Sequence, residues 1–245
     1  MNKTLKNIKE KFNRKIFSNK LLNLKHRFVT NSETRELIDS GIFISKKKFL
    51  IDKIDFNKYL SDTNFEFVSK RFKLNEDDLK KIIVSLNELG ILKIIKNYLG
   101  KKLVIYNNSI LTLGKIKSND KSMMPHHDKN GRCIKVYIWI DKFSLNSHPL
   151  YYLEKSHTHF RRDEDYESSR FGFINKIKFK KYHGGMGDVI LFDTNGIHSH
   201  FKDTVDPRSV VEINFEPYGF LSRMNNLTFD KFKNRIDFTF LENYL

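Results

Sequence analysis

Cysteine is almost absent: Cys133 is the one example in 245 residues. No internal disulfide can form, which fits a reducing, cytoplasmic setting. No apolar run approaches the ~20 residues that cross a bilayer, so no transmembrane segment is expected. The start, MNKTLKNIKEKFNRK, is too polar for a secretory signal. Internal repeats and low-complexity linkers are missing too, which leaves one domain over residues 1–245 as the simplest organisation. Acidic residues are scarce, with 29 Asp and Glu against 45 Lys and Arg, a formal charge of +16. Such a surplus attracts anions: nucleic acid, anionic lipid, or phosphorylated or acidic small molecules. An AT-rich coding bias, which enriches Lys, Asn, Ile and Phe everywhere, accounts for it equally well.

What is present is globular. Hydrophobic residues make up 39% and aromatics 13%, with 22 Phe, enough to build a core. Leu5, Ile8, Phe12 and Ile16 recur at helical spacing in a basic segment. Such a helix can lie on a membrane surface, but packing on the domain is the commoner outcome. Ser32 before Glu33 predicts a cap for a helical turn through Leu37 and Ile38, ended by Gly41, with GIFISKKKFLI extended after it. Asn75 before three acids predicts the start of a helix with its stripe at Leu79, Ile82, Ile83 and Leu86. Leu92, Ile95 and Leu99 predict another, stopped by Gly100. Residues 1–100 therefore read as a mainly helical buttress.

Past Gly100 the pattern changes. KKLVIYNNSILTLG, CIKVYIWI, LYYL, FGFINKIKFK, DVILFD and SVVEINF are short β-rich segments between turn clusters such as DKNG, NSHP, GGMGD and VDP. Many short strands with such punctuation predict a sandwich or jelly roll over 101–220. Phe229, Phe232 and Ile236 return to helical spacing in the tail, 221–245. The fold class expected is α+β.

Eight of the nine histidines (126, 127, 148, 157, 159, 183, 198 and 200) fall within the β region. Three pairs compete as metal ligands. His126-x-Asp128 supplies nitrogen and oxygen, and on an extended strand residues i and i+2 share a face. His157-x-His159 and His198-x-His200 supply only imidazoles. A mixed set with a third ligand such as His198 suits Fe(II), whereas an all-imidazole set from His157, His159 and His200 suits Zn or Cu. His127 alternates to the opposite face and is expected to lie behind the site or on the surface. Arg208 opens the strand Val210–Phe215. A planar guanidinium there could grip a carboxylate, or sit on the surface beside Asp206.

The ordered blocks HHDKNGRCIKVYIWID, SHPLYYLEKSH and GDVILFDTNGIHSH with DPRSVVEINF resemble the phytanoyl-CoA dioxygenase family, over roughly residues 100–220. The resemblance implies a double-stranded β-helix (a jelly-roll, cupin-like core) and an Fe(II)- and 2-oxoglutarate-dependent dioxygenase. It implies metal ligands at His126, Asp128 and His198, and Arg208 as the holder of 2-oxoglutarate. O2 would be the oxidant, with hydroxylation of a C–H bond and release of succinate and CO2. There are departures. His148 replaces a family glycine, Glu154-Lys155 replaces a Pro-Gly, and His200 stands where the family often has a small hydroxyl residue. Asp128 itself points away from related halogenases, which carry a small residue there.

The charge favours a small, anionic substrate, and the charged insert 154–175, with Lys155, Arg161 and Arg162, is a candidate lid. Two other classes compete. A non-catalytic cupin-like binding protein would keep the scaffold without turnover. A nucleic-acid-binding or -modifying protein would show steep salt dependence, but the basic residues are scattered, which ranks it lower.

Overall fold

The computed structural model describes residues 24–60, 69–100, 103–114, 125–128, 133–142, 148–158, 179–200 and 206–217, with 106 and 107 described for their backbone only. The basic segment around Leu5–Ile16, the helical pattern at 229–236, and the insert beyond 158 lie outside the described residues.

Helices form where the apolar stripes predict them. Helix α1 spans Ser32–Ser40. Its cap is Asn31, not Ser32. The Asn31 Oδ1 accepts from the Thr34 backbone N–H and hydroxyl, both at 2.8 Å, and an asparagine is at least as good a cap as a serine. Gly41 ends the helix in the left-handed region, φ 84°, and its N–H reaches the Leu37 carbonyl. A Cβ there would lie 2.4 Å from the His157 ring. Strand β1, Ile42–Ile44, and a short helix α2, Asn57–Leu60, follow. Strand β2 is Ser69–Lys73. Helix α3, Glu76–Glu88, is capped by Asn75 and buries Leu79, Ile82, Ile83 and Leu86. Helix α4 is Ile91–Leu99.

The remaining strands are β3, Leu103–Leu113; β4, Ile134–Trp139; β5, Leu150–Tyr152; β6, Lys180–Tyr182; β7, Val189–Asp193; β8, His198–Ser199; and β9, Arg208–Pro217. They form two antiparallel sheets. The larger has order β1-β7-β4-β9-β3-β2 and the smaller β6-β5-β8. Strands β1 and β2 are the two edges of the larger sheet; β1 lies in the stretch expected to be extended, and β2 makes the described part of the first hundred residues less helical than expected. IFI is too short to show alternation. SKRFK is mostly exposed and charged, as an edge strand that must resist pairing with another chain often is.

Alternation sorts the larger sheet's two faces. Ile134, Val136, Ile138, Val189, Leu191, Val211, Ile213 and Phe215 pack with α1, α3 and α4 in one core. On the inner face Tyr137, Trp139, Ile190, Phe192 and Val210 pack with Leu150 and Tyr152 of the smaller sheet. β3 keeps both faces apolar only because its register shifts between Ile105 and Asn107. The bulge lets Ile105 and Ile110 join the helix side and Leu111 and Leu113 the inner side, although they differ in parity. Among the described residues, no helix is long and apolar enough to cross a membrane.

Candidate metal centre

Backbone pairing brings the candidate ligands together. His126 and His198 form an isolated antiparallel bridge. The His126 N–H donates to the His198 carbonyl at 2.9 Å, and the His198 N–H returns to His126 at 2.8 Å. The Asp128 N–H donates to the Thr194 carbonyl at 2.9 Å. His126 and Asp128 are therefore not on a continuous strand, as the i, i+2 spacing suggested, but each is pinned to the segment that carries His198. One ligand atom from each of His126, Asp128 and His198 lies within 4.8 Å of the other two. The Asp128 Oδ1 is 3.9 Å from the His126 Nε2 and 3.6 Å from the His198 Nε2.

The segment holding His198 is itself clamped. The Asp193 carboxylate accepts from the Tyr98 hydroxyl at 2.6 Å and the Asn195 N–H at 2.8 Å. The Ser156 Oγ accepts from the Ile197 N–H at 2.8 Å, and the Asn195 side chain donates to the His157 carbonyl at 2.6 Å. The Ser156-His157 pair thus supports the ligand loop by hydrogen bonds. The His157 Nε2 faces the Ile38 carbonyl at 2.9 Å, which leaves that imidazole away from the centre. His159 lies outside the described residues. Among those described, only the mixed set of His126, Asp128 and His198 converges.

The His198 Nδ1 lies 2.9 Å from the Gly196 carbonyl. A carbonyl can only accept, so Nδ1 carries a proton, and Nε2 is the nitrogen that faces Asp128. Burial disfavours charge on Asp128, but Lys135, His198 and His126 together outweigh it and hold the carboxyl well below its usual range. The group is an anion, as a hard cation requires. His127 is fully buried, with its Nδ1 at 3.2 Å from the Asp128 carbonyl. The surface alternative for it is corrected: it packs behind the ligand segment.

Arg208 lies on the same inner face. The side chains of His198, Phe192 and Tyr137 connect in successive ring contacts at 5.3 Å and 5.1 Å, and Arg208 sits over Tyr137 and Trp139, 5.8 Å from each ring. It is 1% exposed, which corrects the surface alternative beside Asp206. Its Nη2 donates to the His200 Nδ1 at 3.2 Å, while Nε and Nη1 find no hydrogen-bond partner among the described residues. Burial lowers its pKa to about 10, with Tyr137 and Asp141 acting the other way, so it stays charged at neutral pH. Burial and Arg208 push His200 far down, which leaves it neutral with its proton on Nε2. A buried guanidinium with two unpartnered nitrogens among the described residues is costly unless an anion completes it.

Two further charges lie on this face that motif reading does not assign: Lys135 of β4 and Glu212 of β9. Their signal was in the sequence, as single charges inside the apolar runs CIKVYIWI and SVVEINF.

No protein-family model matches the chain, and no curated protein matches it by sequence. Solved structures do. HygX from Streptomyces hygroscopicus, with nickel and 2-oxoglutarate bound, superposes with a TM-score of 0.56 at 13% identity, covering 78% of this chain and 89% of that one. The epimerase SnoN, in complex with Fe3+, alpha ketoglutarate and nogalamycin RO, gives 0.51 at 14%, covering 76% and 82%. SnoK, a non-heme alpha ketoglutarate dependent carbocyclase from nogalamycin biosynthesis, gives 0.51 at 13%, covering 78% and 85%. At these identities the likeness is one of fold, and the chain shares the fold of these enzymes.

Proposed function

We propose that this protein is an Fe(II)- and 2-oxoglutarate-dependent oxygenase of the phytanoyl-CoA dioxygenase type. Its two sheets are read as a double-stranded β-helix, with residues 1–245 as one domain and the helices as its buttress. The observation that carries the reading is the pairing of a two-imidazole, one-carboxylate cluster with an incomplete buried guanidinium on one inner face. Three ligands leave positions open on an iron ion. His126, Asp128 and His198 are the residues to hold that ion. Arg208, through its Nε and Nη1, which no described residue engages, is the residue to hold the far carboxylate of 2-oxoglutarate, and neutral His200 orients the guanidinium from behind. Bound iron with 2-oxoglutarate and O2 supplies an oxidant for an unactivated C–H bond, with succinate and CO2 released. Tyr137, Trp139 and Phe192 keep water from the inner face, where the charge of Arg208 acts at low dielectric.

HygX has been crystallised with hygromycin B bound, and SnoN with nogalamycin RO, which supports a small-molecule substrate for this chain. Hydroxylation is the outcome proposed. The similar structures include an epimerase and a carbocyclase, so the same fold also hosts other reactions. The test is direct. Anaerobic protein should bind Fe(II) and 2-oxoglutarate, and in air it should form succinate slowly without substrate. His126→Ala or Asp128→Ala should cost at least about tenfold in metal affinity, and Arg208→Lys, which cannot reproduce the fork, should weaken 2-oxoglutarate selectively. Unchanged metal affinity in both ligand variants would overturn the assignment. Binding without succinate formation would favour the non-catalytic cupin-like alternative.

A further inference from the structure

The two oxygens of Asp128 have different surroundings. Oδ1 faces the two imidazoles, whereas Oδ2 lies 3.1 Å from the Lys135 Nζ. Among the described residues Lys135 is the sole ion-pair partner of Oδ2. The Lys135 side chain is 9% exposed, projects from the start of β4 onto the inner face, and passes over the Phe192 ring, 5.8 Å from its centroid. Burying an ammonium there is costly. Its second anion is Glu212, 3.9 Å away and 1% exposed. Glu212 in turn accepts from Arg71 of β2 at 3.2 Å and from the Tyr137 hydroxyl at 3.3 Å. Charges therefore alternate across the sheet from Arg71 through Glu212 and Lys135 to Asp128. Nothing in the packing requires such a line, since an apolar row of similar volume commonly serves stability as well. What it does is fix one oxygen of one carboxylate.

We infer that Lys135 is a positioning residue that keeps Asp128 to a single metal-ligand oxygen by holding the other. This rests on the metal-site reading above. A carboxylate with both oxygens free can occupy two positions on an ion. Without Lys135, Oδ2, on a side chain only 18% exposed, would lose its cation partner and turn toward the nearest remaining cation. That cation would be the bound ion, so Oδ2 would compete with 2-oxoglutarate for it. The prediction is a split. Losing Lys135 should spare metal binding and damage co-substrate binding.

The test uses the whole protein and Lys135→Met, Lys135→Gln and Lys135→Arg, each checked for folding by its melting curve. Cobalt(II) is titrated first and followed by its visible absorption, and 2-oxoglutarate is then titrated into the cobalt-loaded protein. The methionine and glutamine variants should bind cobalt within a few fold of the unaltered protein, show a changed cobalt spectrum, and lose about tenfold in 2-oxoglutarate affinity. The arginine variant, which restores a cation near Oδ2, should recover most of that loss. A residue that only packed would lower the melting temperature and leave the spectrum and the split unmoved. Variants that keep the spectrum and the 2-oxoglutarate affinity of the unaltered protein overturn the role of Lys135 alone. Failure of the unaltered protein to take up cobalt overturns the metal-site reading, and this inference with it.

Discussion

Gly184 shows how one missing methyl group shapes the site. A Cβ there would lie 2.3 to 2.6 Å from three atoms of the Trp139 indole. The indole cannot yield without moving, and it forms one wall of the Arg208 seat. Gly184→Ala is expected to cost about 1–3 kcal/mol through overpacking and to weaken 2-oxoglutarate while leaving cobalt affinity unchanged, as paired titrations would record. Legibility at this scale was uneven. His126, Asp128, His198 and Arg208 could be named because their order along the chain resembles a family's, although a lone His-x-Asp is common by chance. Lys135 and Glu212 carry no motif. A charge inside an apolar strand signals a polar inner face, but only the three-dimensional pairing of β4 with β9 shows that the two charges are neighbours.

Elements were legible where periodicity was strong. The stripe of α3 and its Asn75 cap stand where the sequence pattern puts them, since local propensity and burial agree there. The Asn75 Oδ1 accepts from the Asp78 N–H at 2.8 Å. Asn75→Ala should therefore cost about 1 kcal/mol, a fall of roughly 2–4 °C in melting temperature, with metal and 2-oxoglutarate binding unchanged. A loss of binding in that variant would mean that the helix layer reaches the site more directly than its contacts indicate. Strand β1 lies within the stretch GIFISKKKFLI, which reads as extended, whereas β2 gives no such signal. Each owes its conformation to a partner far along the chain, β1 to β7 and β2 to β3, and neither carries a two-residue alternation of its own. The cap of α1 was misplaced by one residue because Asn31 and Ser32 are both good caps and only the backbone geometry chooses between them.

For the molecule as a whole, the buried ionisable groups of the inner face set opposing slopes of stability against pH. Burial raises Asp141 to about 6, against the pull of the Ser209 N–H and Arg208. Between about 4 and about 6 the folded protein keeps a proton that the unfolded chain has released, so this contribution falls as pH rises through that window and stays lost above it. His200 acts the other way. Its folded value is depressed by burial and by Arg208, so its contribution falls as pH drops below the ordinary value of about 6.5. Asp141→Asn should remove the first slope and leave the second, which urea unfolding from about pH 4 to about pH 7 would resolve. The opposite sign, a variant that loses stability more steeply as pH rises, would mean that Asp141 is ionised in the fold.

The rung between His126 and His198 is made entirely of main-chain groups, as is the tie from Asp128 to Thr194. The scaffold therefore does not know which side chains stand on it. Any ion that binds is a guest of a shape already complete, exchangeable without refolding. By the same token, these main-chain ties would survive a change of candidate ligand side chain, although replacing Asp128 would leave the buried Lys135 ammonium without its nearest anion. A lineage carrying this fold could thus lose the proposed metal chemistry and keep its main-chain framework.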